Sequence, residues 1–421
     1  PTCAARTLWI ANRTMLLFLV LSHGLAAGSQ ATFHLGHCAA TSDESALLQT
    51  SREAANDHEW EEEKDNDGEG LLTQTGCPKM PHIDCHRRLG HVESGPDPAM
   101  RRLFNGLPLK ALKPVDHCKL CQTDGAWGHL YSVERYDGLG QRAAHLILLM
   151  ASARHLKLNF GGLLPNVGSL TLHGADMTKA LSALVNTNYD HVLQKVKHAS
   201  FDTCIYGNYH PNSRREFSGR VVMYHHCRFD SENLQMILPG FVPDLRKQSH
   251  IMKARTPLFS PEHRIHVAVH VRRGDIVNSP KNDAKNQARW KPDSAYIRVV
   301  AEVRKMLPHA DVHVFSSTEN SNSQYGSKDF DVYRKRKMAV HLDGNVQRDW
   351  AHMAQAHVLI QAPSAFSWVA GVINSKCVLS FSSYAGQLKH WIRHNNGKLS
   401  GRSRLRLKEC IRSLLHQKKA H

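Results

Sequence analysis

The second half of the chain alternates between short apolar strands and helical segments, and this alternation limits the fold more than any other feature. Residues 265–271 place an apolar side chain at every second position, which is the period of a strand with one buried face. Further strands and helices are predicted by the same criteria at 295–307 (helix), 312–315 (strand), 338–342 (strand), 350–356 (helix), 358–360 (strand), 366–373 (helix) and 377–381 (strand). Strands separated by helices predict a parallel sheet covered on both faces, with ligand sites at the carboxyl ends of its strands.

The first half of the chain is less regular but contains the same kinds of element. Its predicted elements are at 142–155 (helix), 156–160 (strand), 180–196 (helix) and 221–224 (strand). A chain of 421 residues is long enough for two domains. We therefore predict an α/β protein with one α/β domain over 77–250, a second over 251–390, and a basic C-terminal tail over 391–421.

The N-terminal residues are predicted to lie outside both domains. An apolar run over 15–27 follows Arg6 and Arg13 and precedes small residues, which is the layout of a signal peptide or a short signal-anchor within 1–28. Residues 29–76 are rich in acidic and small polar side chains that cannot form a core, which predicts a flexible stem. We therefore expect entry into the secretory pathway, with a single N-terminal membrane anchor as one option.

Ten cysteines are present, and an oxidising compartment would pair them as disulfides. Cys118 and Cys121 have the spacing of zinc ligands, with His82, Cys85 and His117 as possible companions. A zinc site needs four convergent ligands, and the sequence contains no second pair with this spacing. The spacing therefore favours disulfides, with connectivity left open.

The net charge of +17 favours anionic partners without choosing among phosphates, acidic glycans and nucleic acid. Basic residues between 402 and 419 support one alternative, a non-catalytic protein that binds polyanions or glycans. No motif typical of nucleic-acid binding accompanies them, so nucleic acid is not a predicted partner. Asp329 and Asp331 form a DxD pattern that could hold a metal, but no apolar strand precedes it, and we predict a surface loop without metal.

The segment His270-Val-Arg-Arg-Gly-Asp275 ends the predicted strand over 265–271. Adjacent arginines at the end of a buried strand must meet carboxylates, phosphates or water, because an unpaired buried charge is costly. At the carboxyl edge of a parallel sheet, Arg272 can present its planar guanidinium to a diphosphate. Gly274 permits a tight turn there.

Two further motifs open helices. Ser364-Ala-Phe-Ser-Trp follows the strand over 358–360, and the backbone N–H groups at such a helix N-terminus form an anion site. Gly138 and Gly140 precede a long apolar helix, although a Gly-x-Gly turn is weak evidence by itself.

Together these motifs resemble those of the GDP-fucose-dependent fucosyltransferases, most closely the α1,2 family with its HxRRxD motif; the α1,6 enzymes are relatives. The resemblance covers about residues 130–385 and includes the early Gly-x-Gly-Gln turn, the HxRRxD motif and a later Ser-x-Phe-Ser-Trp stretch. It implies a GT-B-like fold, in which two Rossmann-type domains with parallel sheets face a central cleft. The N-terminal domain would bind the acceptor and the C-terminal domain the GDP-sugar.

The resemblance also implies a reaction. Fucose would pass from GDP-fucose to a hydroxyl of a glycan or glycoprotein in the Golgi lumen, by an inverting single displacement that needs neither a metal nor a cofactor. Alternatives within the family are direct modification of protein, as in protein O-fucosyltransferases, and the use of another GDP-sugar.

Site residues follow from the resemblance as well. Arg272 would bind the β-phosphate and act in catalysis. The other implied donor-binding residues are His270, Arg273, Asp343, Asp349, Ser364, Phe366, Ser367, Gly138, Gly140 and Gln141. Asp275 is the nearest carboxylate and the candidate general base. The α1,6 enzymes carry a glutamate base a few residues past the motif, and residues 276–280 contain none, which favours an α1,2 linkage.

Overall fold

Two parallel β-sheets organise the protein in the computed structural model. The structure describes residues 112–113, 115, 117–135, 138–164, 174–194, 203–205, 219–223, 231–259, 265–274, 276, 288–318, 325–382 and 386–419. The predicted signal segment, the acidic stem and Asp275 lie outside the described residues.

The first sheet has four strands in the order β2-β1-β4-β3, all parallel. Its strands are β1 (Gly128–Val133), β2 (Asn159–Leu164), β3 (Thr203–Ile205) and β4 (Gly219–Met223). The helices in this part of the chain are α1 (Leu139–His155), α2 (Gly174–Val185), α3 (Tyr189–Val192), α4 (Ser231–Ile237), α5 (Val242–Gln248) and α6 (His250–Lys253). Helix α1 is rich in Ala and Leu and is buried on most of its surface, so it forms the centre of this half rather than a solvent-facing layer.

The second sheet has six strands in the order β10-β9-β8-β5-β6-β7, again all parallel. Its strands are β5 (His266–His270), β6 (Asp311–Ser316), β7 (Ala339–Leu342), β8 (Val358–Ile360), β9 (Cys377–Phe381) and β10 (Ile392–His394). Its helices are α7 (Asp293–Met306), α8 (Asp331–Arg334), α9 (Val346–Gln355), α10 (Ala365–Ile373) and α11 (Gly401–Lys419).

The predicted α/β fold with parallel sheets is confirmed. Each strand predicted in the second half lies within one residue of its observed bounds. The central strands β5, β8 and β9 are buried throughout, as expected of strands covered on both faces. One continuous core joins the two halves, and it includes Leu146 of α1, Trp350 of α9 and Val369 of α10.

The C-terminal residues differ from the predicted basic tail. Residues 392–394 form β10, and α11 packs against the second sheet through Leu407, Ile411 and Leu414. The spacing of these three residues places them on one face of the helix, while the arginines and lysines between them are exposed. The charge run is therefore the outer face of an amphipathic helix.

Two disulfides lie within the described residues. Cys118 pairs with Cys121, so their spacing serves a disulfide, as favoured above, rather than a zinc site. Cys377, at the start of β9, pairs with Cys410 of α11 and ties the last helix to the sheet. Among the described helices, none combines the length and apolar character needed to cross a membrane.

Candidate functional site

Arg272 and Ser364 meet at the carboxyl edge of the second sheet. Strands β5 and β8 are parallel neighbours, so the residues that follow them emerge at the same edge. Arg272 Nη1 donates a hydrogen bond of 3.0 Å to Ser364 Oγ. Ser364 is also the N-cap of α10, since its Oγ accepts a hydrogen bond from Phe366 N. The structure thus brings the two main sequence motifs together.

The first turn of α1 lies directly beside the first turn of α10. A methyl group on Gly140 would lie 2.7 Å from the Cα of Phe366, so only a glycine permits this approach. Gly138 is the N-cap of α1, and its carbonyl accepts a hydrogen bond of 2.9 Å from Gln141 N. The third predicted motif therefore joins the other two.

These elements concentrate positive charge in one place. A helix N-terminus carries about half a positive charge and leaves up to four N–H groups without intrahelical partners. Two such N-termini adjoin here, and neither first turn contains an acidic residue. Arg272 adds a full charge beside them. The arrangement is chemically suited to a phosphate or diphosphate.

His270 lies beneath this turn as a neutral side chain. Burial, reinforced by the charge of Arg272, lowers the pKa of His270 to about 3. Its ring lies 5.3 Å from the Phe366 ring, and Trp350 Nε1 donates to the carbonyl of Phe366 at 2.9 Å. His270 and Trp350 therefore support Phe366 by packing and hydrogen bonding, and His270 brings no charge to the site at neutral pH.

Arg273 is placed differently from its neighbour. Its side chain is only 2% exposed and forms an ion pair of 2.6 Å with Asp293. It also donates to the carbonyl of Lys291 and lies over the rings of Trp290 and Tyr325. The donor contact that the resemblance implies for Arg273 stays a prediction. In the structure Arg273 anchors the start of α7.

Asp343 organises the loop after β6. Its carboxylate accepts hydrogen bonds from Ser317 Oγ and from the backbone and side chain of Thr318, at 2.6–2.7 Å. Ser367 is buried and donates to the carbonyls of Ala362 and Ser364 within its own turn. Both residues stand at the carboxyl edge, where Asp343 holds the residues that follow β6 and Ser367 holds the first turn of α10.

Asp349, on the first turns of α9, is a buried carboxyl group at the same edge. Its exposure is 7%, and its Oδ1 has no hydrogen-bond partner among the described residues. Burial raises the pKa of Asp349 to about 7, against a smaller opposing effect of Arg348. Asp349 therefore offers an unused acceptor whose protonation changes near neutral pH.

A buried ion pair under α1 was not predicted. Glu134, which follows β1, accepts a hydrogen bond of 2.7 Å from Arg142 and one of 3.1 Å from Tyr189. Arg142 also donates to the carbonyl of Arg135. The pair joins the residue that follows β1 to the first turn of α1. The sequence contained signals that could have predicted this pair, namely a glutamate at the end of a buried strand and an arginine one turn into the next helix.

Comparisons with known proteins give only weak similarities. No protein-family model and no curated protein matches the sequence. Among solved structures, the E. coli heptosyltransferase WaaC with ADP-2-deoxy-2-fluoro heptose matches at 10% identity and a TM-score of 0.34, over 68% of this chain and 99% of that one. The iron-containing heptosyltransferase TibC from enterotoxigenic E. coli, in complex with ADP-D-beta-D-heptose, matches at 12% identity and a TM-score of 0.30, over 64% and 63%. Values this low support no inference about function.

Proposed function

We propose that the protein is a glycosyltransferase that binds the diphosphate of a nucleotide sugar between Arg272 and the adjoining N-termini of α1 and α10. The observation that carries this proposal is the 3.0 Å hydrogen bond from Arg272 to the N-cap Ser364, beside the close contact of Gly140 with Phe366. Both helices and the arginine direct positive charge at one point, which a diphosphate would occupy.

The same groups would act on the transition state. As the sugar leaves, the bond from its C1 to the β-phosphate oxygen breaks and the nucleoside diphosphate gains negative charge. Preorganised N–H groups and a guanidinium stabilise that charge without reorganising, and such groups commonly contribute about 3–4 kcal/mol each. We propose an inverting single displacement, in which the acceptor oxygen attacks C1 and no divalent metal takes part.

The proposed donor is GDP-fucose, and the proposed acceptor is a glycan hydroxyl, with an α1,2 linkage favoured. This specificity rests on the HxRRxD resemblance. Another GDP-sugar, or direct transfer to protein, would use the same diphosphate site. Asp275 remains the candidate base that would take the proton of the acceptor hydroxyl, and Asp349 the candidate partner for the nucleoside.

The proposed location is the Golgi lumen. The disulfide between Cys377 and Cys410 supports a compartment that is oxidising, because such bonds rarely persist in the cytosol.

A second candidate is a non-catalytic binder of polyanions. The exposed basic face of α11, which includes Arg402, Arg404, Lys408 and Arg412, is the observation that favours it. Such binding is electrostatic and weakens steeply with salt.

Release of GDP by the purified protein would test the first proposal. GDP-fucose, other GDP-sugars and an ADP-sugar would be supplied with mixed glycan acceptors in EDTA, with Arg272→Ala as the control variant. We expect the wild type to release GDP from GDP-fucose, and we expect the rate of release to be lower by about 100-fold or more in Arg272→Ala. Unchanged turnover in Arg272→Ala would refute the diphosphate site. Absence of GDP binding, with salt-sensitive retention on a polyanion, would instead favour the second candidate.

A further inference from the structure

We propose that His266, Asp311 and His313 bind one divalent transition-metal ion, with Zn²⁺ the best match, at the amino edge of the second sheet. This inference does not depend on the proposed function. It concerns the edge of the sheet opposite to Arg272, since β5 begins at His266 and β6 begins at Asp311.

The strand register places the three side chains together. In the parallel pair of β5 and β6, His266 is opposite Asp311 and Ala268 is opposite His313, so all three side chains project from one face. Asp311 Oδ2 lies 2.9 Å from His313 Nε2 and 3.6 Å from His266 Nδ1. The three atoms all lie within 4.8 Å of one another.

The separations of 2.9 and 3.6 Å between Asp311 Oδ2 and the two histidine nitrogens suit ligands of a common ion. Zinc binds histidine nitrogen and carboxylate oxygen at about 2.0–2.2 Å, which puts two tetrahedral ligand atoms roughly 3.3 Å apart. The side chain of His313 is only 5% exposed, and its Nε2 has no hydrogen-bond partner in the described structure although Asp311 Oδ2 is 2.9 Å away. Proximity without hydrogen-bond alignment is expected of two groups that converge on a third atom between them.

The surroundings would orient the ligands. His313 Nδ1 lies 2.9 Å from His341 Nε2, and a proton held between these nitrogens leaves the lone pair of His313 Nε2 for a metal. The ring of Phe259 stacks on His266 with centroids 4.4 Å apart and fixes its plane. The side chain of Asp311 is 25% exposed, which leaves access for a water molecule as fourth ligand.

Two nitrogens and one oxygen select the metal class. Mg²⁺ and Ca²⁺ prefer oxygen ligands alone, whereas Zn²⁺ and neighbouring transition metals accept imidazole. Strand β5 separates this cluster from the Arg272 edge by about 13 Å at 3.3 Å per residue. An ion here would therefore clamp the starts of β5 and β6 and stabilise the sheet, without contacting the proposed donor.

Metal binding by the full chain, purified without a histidine tag and stripped with EDTA, tests the proposal. Zn²⁺ would be titrated in competition with a chromogenic chelator, and Co²⁺ would report an imidazole site by its visible absorption. Asp311→Asn and His313→Gln are the test variants, and His309→Gln, an exposed histidine two residues from Asp311, is the matched control. Melting temperatures in EDTA would establish that each variant is folded.

We expect one tight equivalent of Zn²⁺ in the wild type and in His309→Gln, with a higher melting temperature in its presence. Each test variant should bind this equivalent at least about 100-fold more weakly. Mg²⁺ should neither bind nor stabilise. The proposal is overturned if the wild type binds no tight equivalent, or if Asp311→Asn binds it as the wild type does.

Discussion

Arg273, which is buried, forms an ion pair of 2.6 Å with the partly exposed Asp293, immediately beside the arginine that reaches the helix N-termini. Tyr333 donates a second hydrogen bond of 2.6 Å to the same oxygen of Asp293. Arg272, in contrast, is only half-buried and donates to Ser364. The two adjacent arginines therefore have separable tasks, one in stability and one at the proposed anion site.

Asp293→Asn should lower the free energy of unfolding by about 1–3 kcal/mol, because it leaves the buried guanidinium of Arg273 without a counter-charge, while solvent at the partly exposed Asp293 screens part of the loss. Arg272→Ala, at a half-buried position, should lower it by about 1 kcal/mol or less. Urea unfolding of both variants measures the difference. Equal destabilisation by the two substitutions would contradict the division of tasks.

Gly140→Ala should destabilise the protein by about 1–3 kcal/mol, the usual cost of overpacking. The added methyl group would lie 2.7 Å from the Cα of Phe366, which belongs to backbone that cannot rotate away. Because the contact sets how closely the N-termini of α1 and α10 approach each other, the affinity of the proposed diphosphate site for GDP should fall as well. Gly240→Ala is the matched control, since a methyl group there meets no atom within 4 Å. Denaturant unfolding and calorimetric GDP titration give the two readouts.

Periodicity predicted strands β5 to β9 of the second sheet closely, because each is a short run rich in apolar residues. Strand β10, Ile-Arg-His, has no such run and was missed. The first half was harder to predict. Strand β2 begins at Asn159, three residues after the predicted start, because its Phe-Gly-Gly-Leu-Leu segment has no alternation. The predicted long helix over 180–196 is broken near Asn186, whose φ of 51° ends α2 in the left-handed region.

The site was predictable to the extent that its residues are adjacent in sequence to strand ends. Arg272 and Ser364 could be brought to one edge by topology alone. The different contacts of Arg272 and Arg273 could not be predicted in this way, because they depend on Asp293 at the start of α7, twenty residues after Arg273. The contact of Gly140 with Phe366 depends on tertiary packing across the two halves, which no local pattern encodes.

Loss of the Cys377–Cys410 disulfide should lower the free energy of unfolding by about 3–4 kcal/mol, because the bond joins residues 33 apart and so restricts the unfolded chain strongly. The Cys118–Cys121 disulfide joins residues only 3 apart and should contribute about 2 kcal/mol to the free energy of unfolding for the same reason. Urea unfolding under non-reducing conditions measures the two contributions, in the variants Cys410→Ser and Cys121→Ser. A larger loss in Cys121→Ser would contradict the anchoring of α11 by its disulfide.

The buried carboxyl of Asp349 should make the stability fall with rising pH. Its pKa is raised to about 7 in the folded protein, whereas the pKa of an aspartate in an unfolded chain is about 3.9. Between these values this group binds more protons in the folded state than in the unfolded state, so its contribution to stability is greatest below about pH 4 and declines up to about pH 7. The slope from this one group is at most about 1.4 kcal/mol per pH unit.

Asp349→Asn should remove that slope, because the amide is neutral at every pH. Relative to the wild type, the variant should therefore gain stability between about pH 4 and about pH 7, and the difference should level off above that value. Urea unfolding at half-unit pH intervals measures it, with Asp124→Asn in an exposed turn as the control for a surface carboxylate. If the stability difference between Asp349→Asn and the wild type were the same at every pH, the carboxyl would titrate alike in both states, and its role as a buried, neutral-pH acceptor at the carboxyl edge would be refuted.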